Sequence, residues 1–245
     1  MSLSELSRRS QLPHPTVLRL TSQLAAAGLI ARDSSTRRFR LGPTTFELGL
    51  AAQQHDVRSL FAPTLQRLSK LTSAPVTVCV RSGDESVCVD RCLPEAAAVP
   101  YAMEPGMRRA LGTCASGLVM LAAMSQDERD EALARIRPVL TSHWDVAEDD
   151  LNRRLATARY ESVSVVHGWI APGVTEVAIA VRSPDGTATA SISVAGPATP
   201  AWHSRIAVTS DLLLRAQLIV EGQLENARWR APAHAGLSGI ALARG

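Results

Sequence analysis

Lysine is nearly missing from this chain: of the 26 Lys+Arg in its 245 residues, Lys70 is the lone lysine. Arginine runs evenly through the body and tail, so its abundance alone reflects a compositional bias rather than a polyanion partner. No apolar run reaches the roughly 18 residues that a bilayer span needs. Residues 1–6 lack the basic-then-apolar order of a secretory signal. Neither export nor a membrane partner is therefore expected. Four cysteines are too few and too scattered for a disulfide framework, which suggests a reduced, cytoplasmic protein. No Cys-x-x-Cys or His-x-x-x-His spacing occurs, and no phosphate loop, nucleotide fingerprint or Ser/His/Asp set stands out. Hence no metal site, cofactor or catalytic residue is expected. No internal repeat is present. With 46% apolar and 20% charged residues the chain is neither disordered nor fibrous, and it can bury a large core.

What is present is an uneven charge. Residues 1–42 hold seven arginines against Glu5 and Asp33, a net +5, while the remainder nets −2. A small basic head on a slightly acidic body raises the expectation of a polyanion at the head.

The head reads as helix, turn, helix and wing. Ser2 and Glu5 have capping-box spacing, and the helix they start should end near Ser10, ahead of Leu12-Pro13. A second helix starts at residues 13–15, where Pro15 suits the first turn, and Gly28 stops it. Val17, Leu20, Leu24 and Ala27 form its apolar stripe. Residues 29–32 and 38–41 read as two strands about a 33–37 hairpin tip. Two short helices suit the major groove, and the arginines of such a wing, Arg32, Arg37, Arg38 and Arg40, suit phosphates.

Beyond the head, residues 43–72 are helical in pattern, with a polar break at 53–56. The period then changes to two. Strands are expected at 76–80, 87–92, 174–182 and 187–195. Helices are expected at 115–123, 126–135, 147–158 and 200–224. The result is an α+β body. The tail after Asn226, rich in Ala, Gly and Arg, is expected to be disordered. Cys88 and Cys92 are expected to share one face of a strand. They read as buried apolar-like residues, and with His55 or His167 they make only a weak case for zinc. Cys114 precedes a helix start, where the dipole is expected to lower its pKa. Free amides at that start, with the hydroxyls of Thr113 and Ser116, suit an anion.

Several motifs resemble the IclR (isocitrate lyase regulator) family of bacterial transcription factors. In the head they are Ser-Glu-Leu at 4–6, Leu-Pro at 12–13, Thr-Val-Leu-Arg-Leu at 16–20, Leu-Ala-Ala-Ala-Gly-Leu-Ile at 24–30 and Phe-Arg-Leu-Gly at 39–42. In the body they are Pro-Gly-Met at 105–107, Leu-Gly-Thr-Cys-Ala-Ser-Gly at 111–117, Pro-Gly-Val at 172–174 and Ala-Ser-Ile-Ser-Val-Ala-Gly-Pro at 190–197. The resemblance implies a winged helix-turn-helix DNA-binding domain at 1–42, a linker helix at 43–58 that pairs with a second subunit, and a GAF-like effector-binding domain at 59–225. The 226–245 tail follows. Family members usually carry one more helix ahead of this point, so the head is expected to lack its first helix.

The resemblance further implies that His14, Thr16, Arg19 and Ser22 face the groove. Thr113, Ala115, Ser116, Glu176, Ser191, Ser193 and Ala195 would line an effector site, closed by the 167–170 loop, with Trp169 offering a ring for stacking. Common members have a His where Gly112 stands and a Lys near Leu118, and their closing loop is often acidic. The function implied is a ligand-responsive transcription regulator. It would work as a homodimer or dimer of dimers on double-stranded operator DNA, with a small organic acid or aromatic metabolite as effector. Two rival expectations are a stand-alone GAF-type sensor or enzyme with a vestigial head, and a protein-interaction module whose winged head binds another protein.

Overall fold

The computed structural model describes residues 1–53, 57–95, 103–143, 147–169 and 171–227. The chain divides into two compact units, the first running from Met1 to Val57 and the second beginning at Arg58. The expected tail at 226–245 lies outside the described residues from position 228 on.

The first unit follows the chain order α1 (Leu3–Ser10), α2 (His14–Ala26), β1 (Ile30–Arg32), β2 (Phe39–Leu41) and α3 (Pro43–Gln53). Ser2 and Glu5 form the capping box reciprocally, at 3.2 and 3.1 Å. α1 stops at Gln11, whose left-handed φ of 55° turns the chain toward Pro13. Gly28 at φ +71° ends the second helix, and a side chain there would strike Thr44. β1 and β2 pair antiparallel, Ile30 with Leu41 through Arg32 with Phe39.

The buried face of α2 differs from the expected stripe. Val17 and Thr21 are buried, whereas Leu20 and Leu24 remain 38% and 41% exposed. Thr21 fills the inner position because its hydroxyl donates to the Val17 carbonyl at 2.8 Å, which satisfies its polar atom without water.

The second unit is a six-stranded antiparallel sheet with helices on both faces. Its elements are α4 (Val57–Thr72), β3 (Val76–Ser82), β4 (Glu85–Cys92), β5 (Arg108–Ala110), α5 (Ala115–Ala122), α6 (Gln126–His143), α7 (Glu148–Glu161), β6 (Val163–His167), β7 (Val174–Arg182), β8 (Ala188–Pro197), α8 (Pro200–His203) and α9 (Ile206–Asn226). The strand order is β5-β4-β3-β8-β7-β6. β7 and β8 are buried without alternation because both faces are covered: α9 packs on one side and α5 on the other. All eight residues of α5 are buried, which matches a helix that is apolar all round. Its Leu118 and Leu121 join one core with Leu140 of α6 and Leu151 of α7. Each of these buried leucines contributes about 2 kcal/mol.

Several boundaries depart from the sequence reading. β5 and β6 are not among the expected strands; β5 is only three residues long and β6, although Ser-Val-Ser-Val at 162–165 alternates, follows α7 directly, and both are short edge strands paired with β4 and β7. The expected 200–224 helix is two pieces. Thr199 caps α8, and the chain breaks at 204–205, where Arg205 donates to the Thr72 carbonyl at 2.9 Å. Cys88 and Cys92 do not share a face. A β-bulge leaves Val89 unpaired, so Cys88 stands opposite Cys79 while Cys92 stands opposite Val76, on the other side.

Candidate functional site

Two places merit a chemical reading, one in each unit. In the first, α2 and the β1–β2 hairpin carry the sequence-predicted groove and phosphate residues. His14, Arg19 and Ser22 are exposed and Thr16 is half-buried. His14 Nε2 lies 3.4 Å from Ser4 Oγ, which ties the start of α2 to α1. The Ser22 hydroxyl donates to the Leu18 carbonyl at 2.8 Å, leaving its lone pairs outward.

On the wing Arg32, Arg37, Arg38 and Arg40 are all exposed. Arg32 donates to the Arg37 carbonyl and lies over the Phe39 ring at 5.3 Å, so it is pinned along the hairpin. Arg38 pairs loosely with Glu5 at 3.5 Å. The tip is set by Asp33, which accepts from the amides of Ser35 and Thr36 and from the Ser35 hydroxyl; those bonds hold its carboxyl well below the usual range. The hairpin thus carries its four guanidinium groups on one exposed element.

In the second unit the register fixes which side chains face α5. Val166, Glu176 and Ala195 form one row across β6, β7 and β8. Ser164, Ala178, Ser193 and Thr77 form the next row, and Ala180, Ser191, Cys79 and Cys88 the third. Glu176, Ser191, Ser193 and Ala195 therefore come to one face, opposite the turn that carries Thr113, Ala115 and Ser116.

Glu176 joins the two sides. Its Oε2 accepts from the Ala115 amide at 2.7 Å and its Oε1 from Ser116 Oγ at 2.9 Å. The residue is 2% exposed. Burial raises its pKa, and the donors Ser193, Ser116 and Ala115 oppose that rise. Ser193 also bonds Thr77 at 2.7 Å. The amides expected to be free for an outside anion therefore already include one bound to a side chain of the protein.

Other expected groups are placed as follows. The Thr113 hydroxyl donates back to the Ala110 carbonyl at 2.7 Å. One face of Trp169 is covered by Arg154, whose guanidinium sits 4.9 Å from the ring centre. In the closing loop His167 bonds Thr175 at 2.9 Å, on the side of β7 opposite Glu176, and Ile170 lies outside the described residues, as does His55.

Cys114 caps α5 by accepting from the Gly117 amide, but its thiol is pushed up to about 12, first by burial and then by the charge of Glu176. The expected lowering by the helix dipole is thus overridden. Gly112, at φ +87°, packs its Cα edge against Leu140, Leu151 and Leu121, so a larger residue there would crowd this layer. Thr77, Cys79 and Ser164 were not legible as site residues, because only strand pairing brings them to this face.

Comparison with known proteins places these features. The model described as "Bacterial transcriptional regulator IclR C-terminal" matches residues 49–217, and the "IclR helix-turn-helix domain" matches residues 1–34. The HTH-type transcriptional repressor AllR of Salmonella paratyphi A is 26% identical over 219 residues, covering 86% of this chain and 78% of that protein. The HTH-type transcriptional regulator BhcR of Paracoccus denitrificans is 26% identical over 220 residues, covering 88% and 78%.

Among solved structures, a putative IclR transcriptional regulator from Silicibacter superposes with a TM-score of 0.79 at 23% identity, covering 96% of this chain and 91% of that one. An IclR homologue from Microbacterium hydrocarbonoxydans, complexed with 4-hydroxybenzoate, gives 0.71 at 24% identity and 92% of each chain.

Proposed function

The chain belongs to the IclR family of bacterial transcriptional regulators, and from that premise we propose that it is a ligand-responsive regulator that reads a two-fold operator through its first unit. The observation that carries this reading is the first unit itself: a helix pair whose second helix leaves His14 and Arg19 exposed, beside a hairpin bearing four exposed arginines. The second helix of such a pair enters the major groove with its N-terminal residues toward the bases, and the wing follows the phosphates. His14, Thr16, Arg19 and Ser22 read bases in this account, and Arg32, Arg37, Arg38 and Arg40 hold the backbone.

The protein acts as a homodimer or a dimer of dimers, because a single short helix reads too few base pairs for specificity and two-fold operators mirror two-fold proteins. The second unit receives a small organic metabolite on the face shared by α5, β7 and β8. Binding there changes operator affinity, and DNA changes effector affinity by the same factor.

The test is a gel shift with the DNA upstream of the protein's own gene, with competitor DNA present. A discrete, saturable complex that excess random DNA fails to remove supports the reading. Binding no tighter to that DNA than to random sequence refutes it.

A further inference from the structure

The first turn of α5 is where the effector-side layer gathers backbone N–H groups suited to an anion, and an anion is already seated there. Helix N-termini carry partial positive charge, and their unpaired amides are ready donors. Here the ligand is the carboxylate of Glu176, delivered from β7 with its two oxygens on separate donors, the Ala115 amide and the Ser116 hydroxyl. A buried carboxylate is tolerated when it is hydrogen-bonded; each oxygen of this one accepts one of these bonds and keeps lone-pair capacity for a further donor.

The same face holds two buried hydroxyl oxygens that lack a partner among the described residues, Ser164 Oγ on β6 and Ser191 Oγ on β8. Such orphan polar atoms at near-zero exposure call for a missing partner. The α5-facing side therefore offers an outside molecule one carboxylate and two unsatisfied hydroxyls, and the anion position at the start of α5 is filled.

We propose that Glu176 is a resident anion that takes the position a carboxylate ligand would occupy at the start of α5. The effector of this protein is then an uncharged or cationic molecule carrying hydrogen-bond donors, not a carboxylate. The inference rests on the reading that this face receives the effector, and it narrows the class of effector expected from the sequence. A second carboxylate brought to about 4 Å from Glu176 would lose binding on the order of 1000-fold by like-charge repulsion in a partly buried setting. A hydroxyl, amide or ammonium group meets instead the lone pairs of Glu176, Ser164 and Ser191.

The experiment is a thermal-shift assay on the full chain, with acetate, benzoate, acetamide and ethanolamine as probes. Glu176→Ala leaves the Ala115 and Ser116 donors facing a cavity, and an acetate ion fits the space the side chain left. Acetate at about 20 mM is expected to raise the melting temperature of Glu176→Ala by several degrees and to leave the wild type unmoved. Acetamide, with no charge, restores less. The exposed-acid control Glu104→Ala gains nothing from acetate. Glu176→Ser, a milder truncation, is measured in parallel in case the alanine variant does not fold.

If a folded truncation variant gains nothing from acetate, the proposal is wrong. It is equally wrong if acetate or benzoate raises the wild-type melting temperature as much as the variant's. If neither variant folds, the wild-type panel decides: a shift with a neutral or cationic probe alone supports the proposal, and a shift with a carboxylate, or with no probe at all, overturns it. A gel shift on the same preparations separates the two readings. Loss of specific DNA binding by the wild type counts against the regulator reading, whereas failed rescue with DNA binding intact counts against the Glu176 proposal alone.

Discussion

Ser116→Ala is the substitution whose energetics follow most directly from the geometry around Glu176. Ser116 is fully buried, and its hydroxyl donates to Glu176 Oε1 at 2.9 Å. Removing one donor from a carboxylate that stays buried costs about 2 kcal/mol, the range for hydrogen bonds to charged groups. For a unit of this size that corresponds to a fall in melting temperature of about 4–8 °C near neutral pH.

The penalty should depend on pH. Burial holds the folded pKa of Glu176 above its unfolded value. Between those two values the folded state binds more protons than the unfolded state, so this group's contribution to stability falls as pH rises through the window. Ser116→Ala removes a donor that favours the ionised form and pushes the folded pKa higher still. The loss in melting temperature should therefore be larger at pH 7.5 than at pH 5.5. In a Glu176→Gln background no ionisation remains, and the pH dependence of the Ser116→Ala loss should vanish. Calorimetry on the four proteins of this cycle measures the coupling. An equal loss at both pH values, or the same loss and the same pH dependence with and without Glu176, would refute the reasoning.

Three further outcomes are expected. Gly196→Ala places a methyl inside the buried Trp202 indole, so the ring must move. A destabilisation of about 1–3 kcal/mol, the range for overpacking, should appear together with altered tryptophan fluorescence. Of the four thiols, Cys79, Cys88 and Cys114 are buried and Cys92 is partly exposed. A colorimetric thiol reagent at pH 8 should therefore titrate Cys92 alone in the native protein and all four in guanidinium. Replacing both Arg37 and Arg40 by alanine should flatten the log K against log salt plot by about 1.8, two phosphate contacts at about 0.9 each, while Lys70→Ala leaves the slope unchanged.

Much of the fold could be read from the sequence because its signals are local. The Ser2/Glu5 cap, the Gly28 stop and the alternation beginning at Val76 each depend on a few neighbouring residues. β5 could not be read, because a three-residue edge strand exists only through its partner, whereas the Ser-Val-Ser-Val alternation at 162–165 does mark β6 but sits directly behind the helical pattern before it. The Leu20–Leu24 stripe misled for the opposite reason: spacing marks a possible apolar face, but burial needs something to cover it, and Thr21 can enter the core by bonding its own helix.

The site was legible in part. Glu176, Ser193 and Ser116 were named as separate wall residues, and the direct bond from Glu176 to the start of α5 was not foreseen. That bond joins positions 60 and 61 residues apart, a separation at which sequence spacing carries no distance information. The bulge at Val89 likewise inverted the facing of Cys92, since one extra residue changes the side of every residue after it.

The central claim, that the first unit reads operator DNA through α2, is tested most directly by fluorescence anisotropy with Arg19→Ala. Arg19 is exposed on α2 and makes no hydrogen bond or ion pair among the described residues, so its loss leaves the fold intact. At about 150 mM salt the wild type should bind its operator at least 1000-fold more tightly than random DNA, and Arg19→Ala should lose most of that ratio while keeping its affinity for random DNA. An Arg19→Ala protein that holds the operator with undiminished preference would contradict the account.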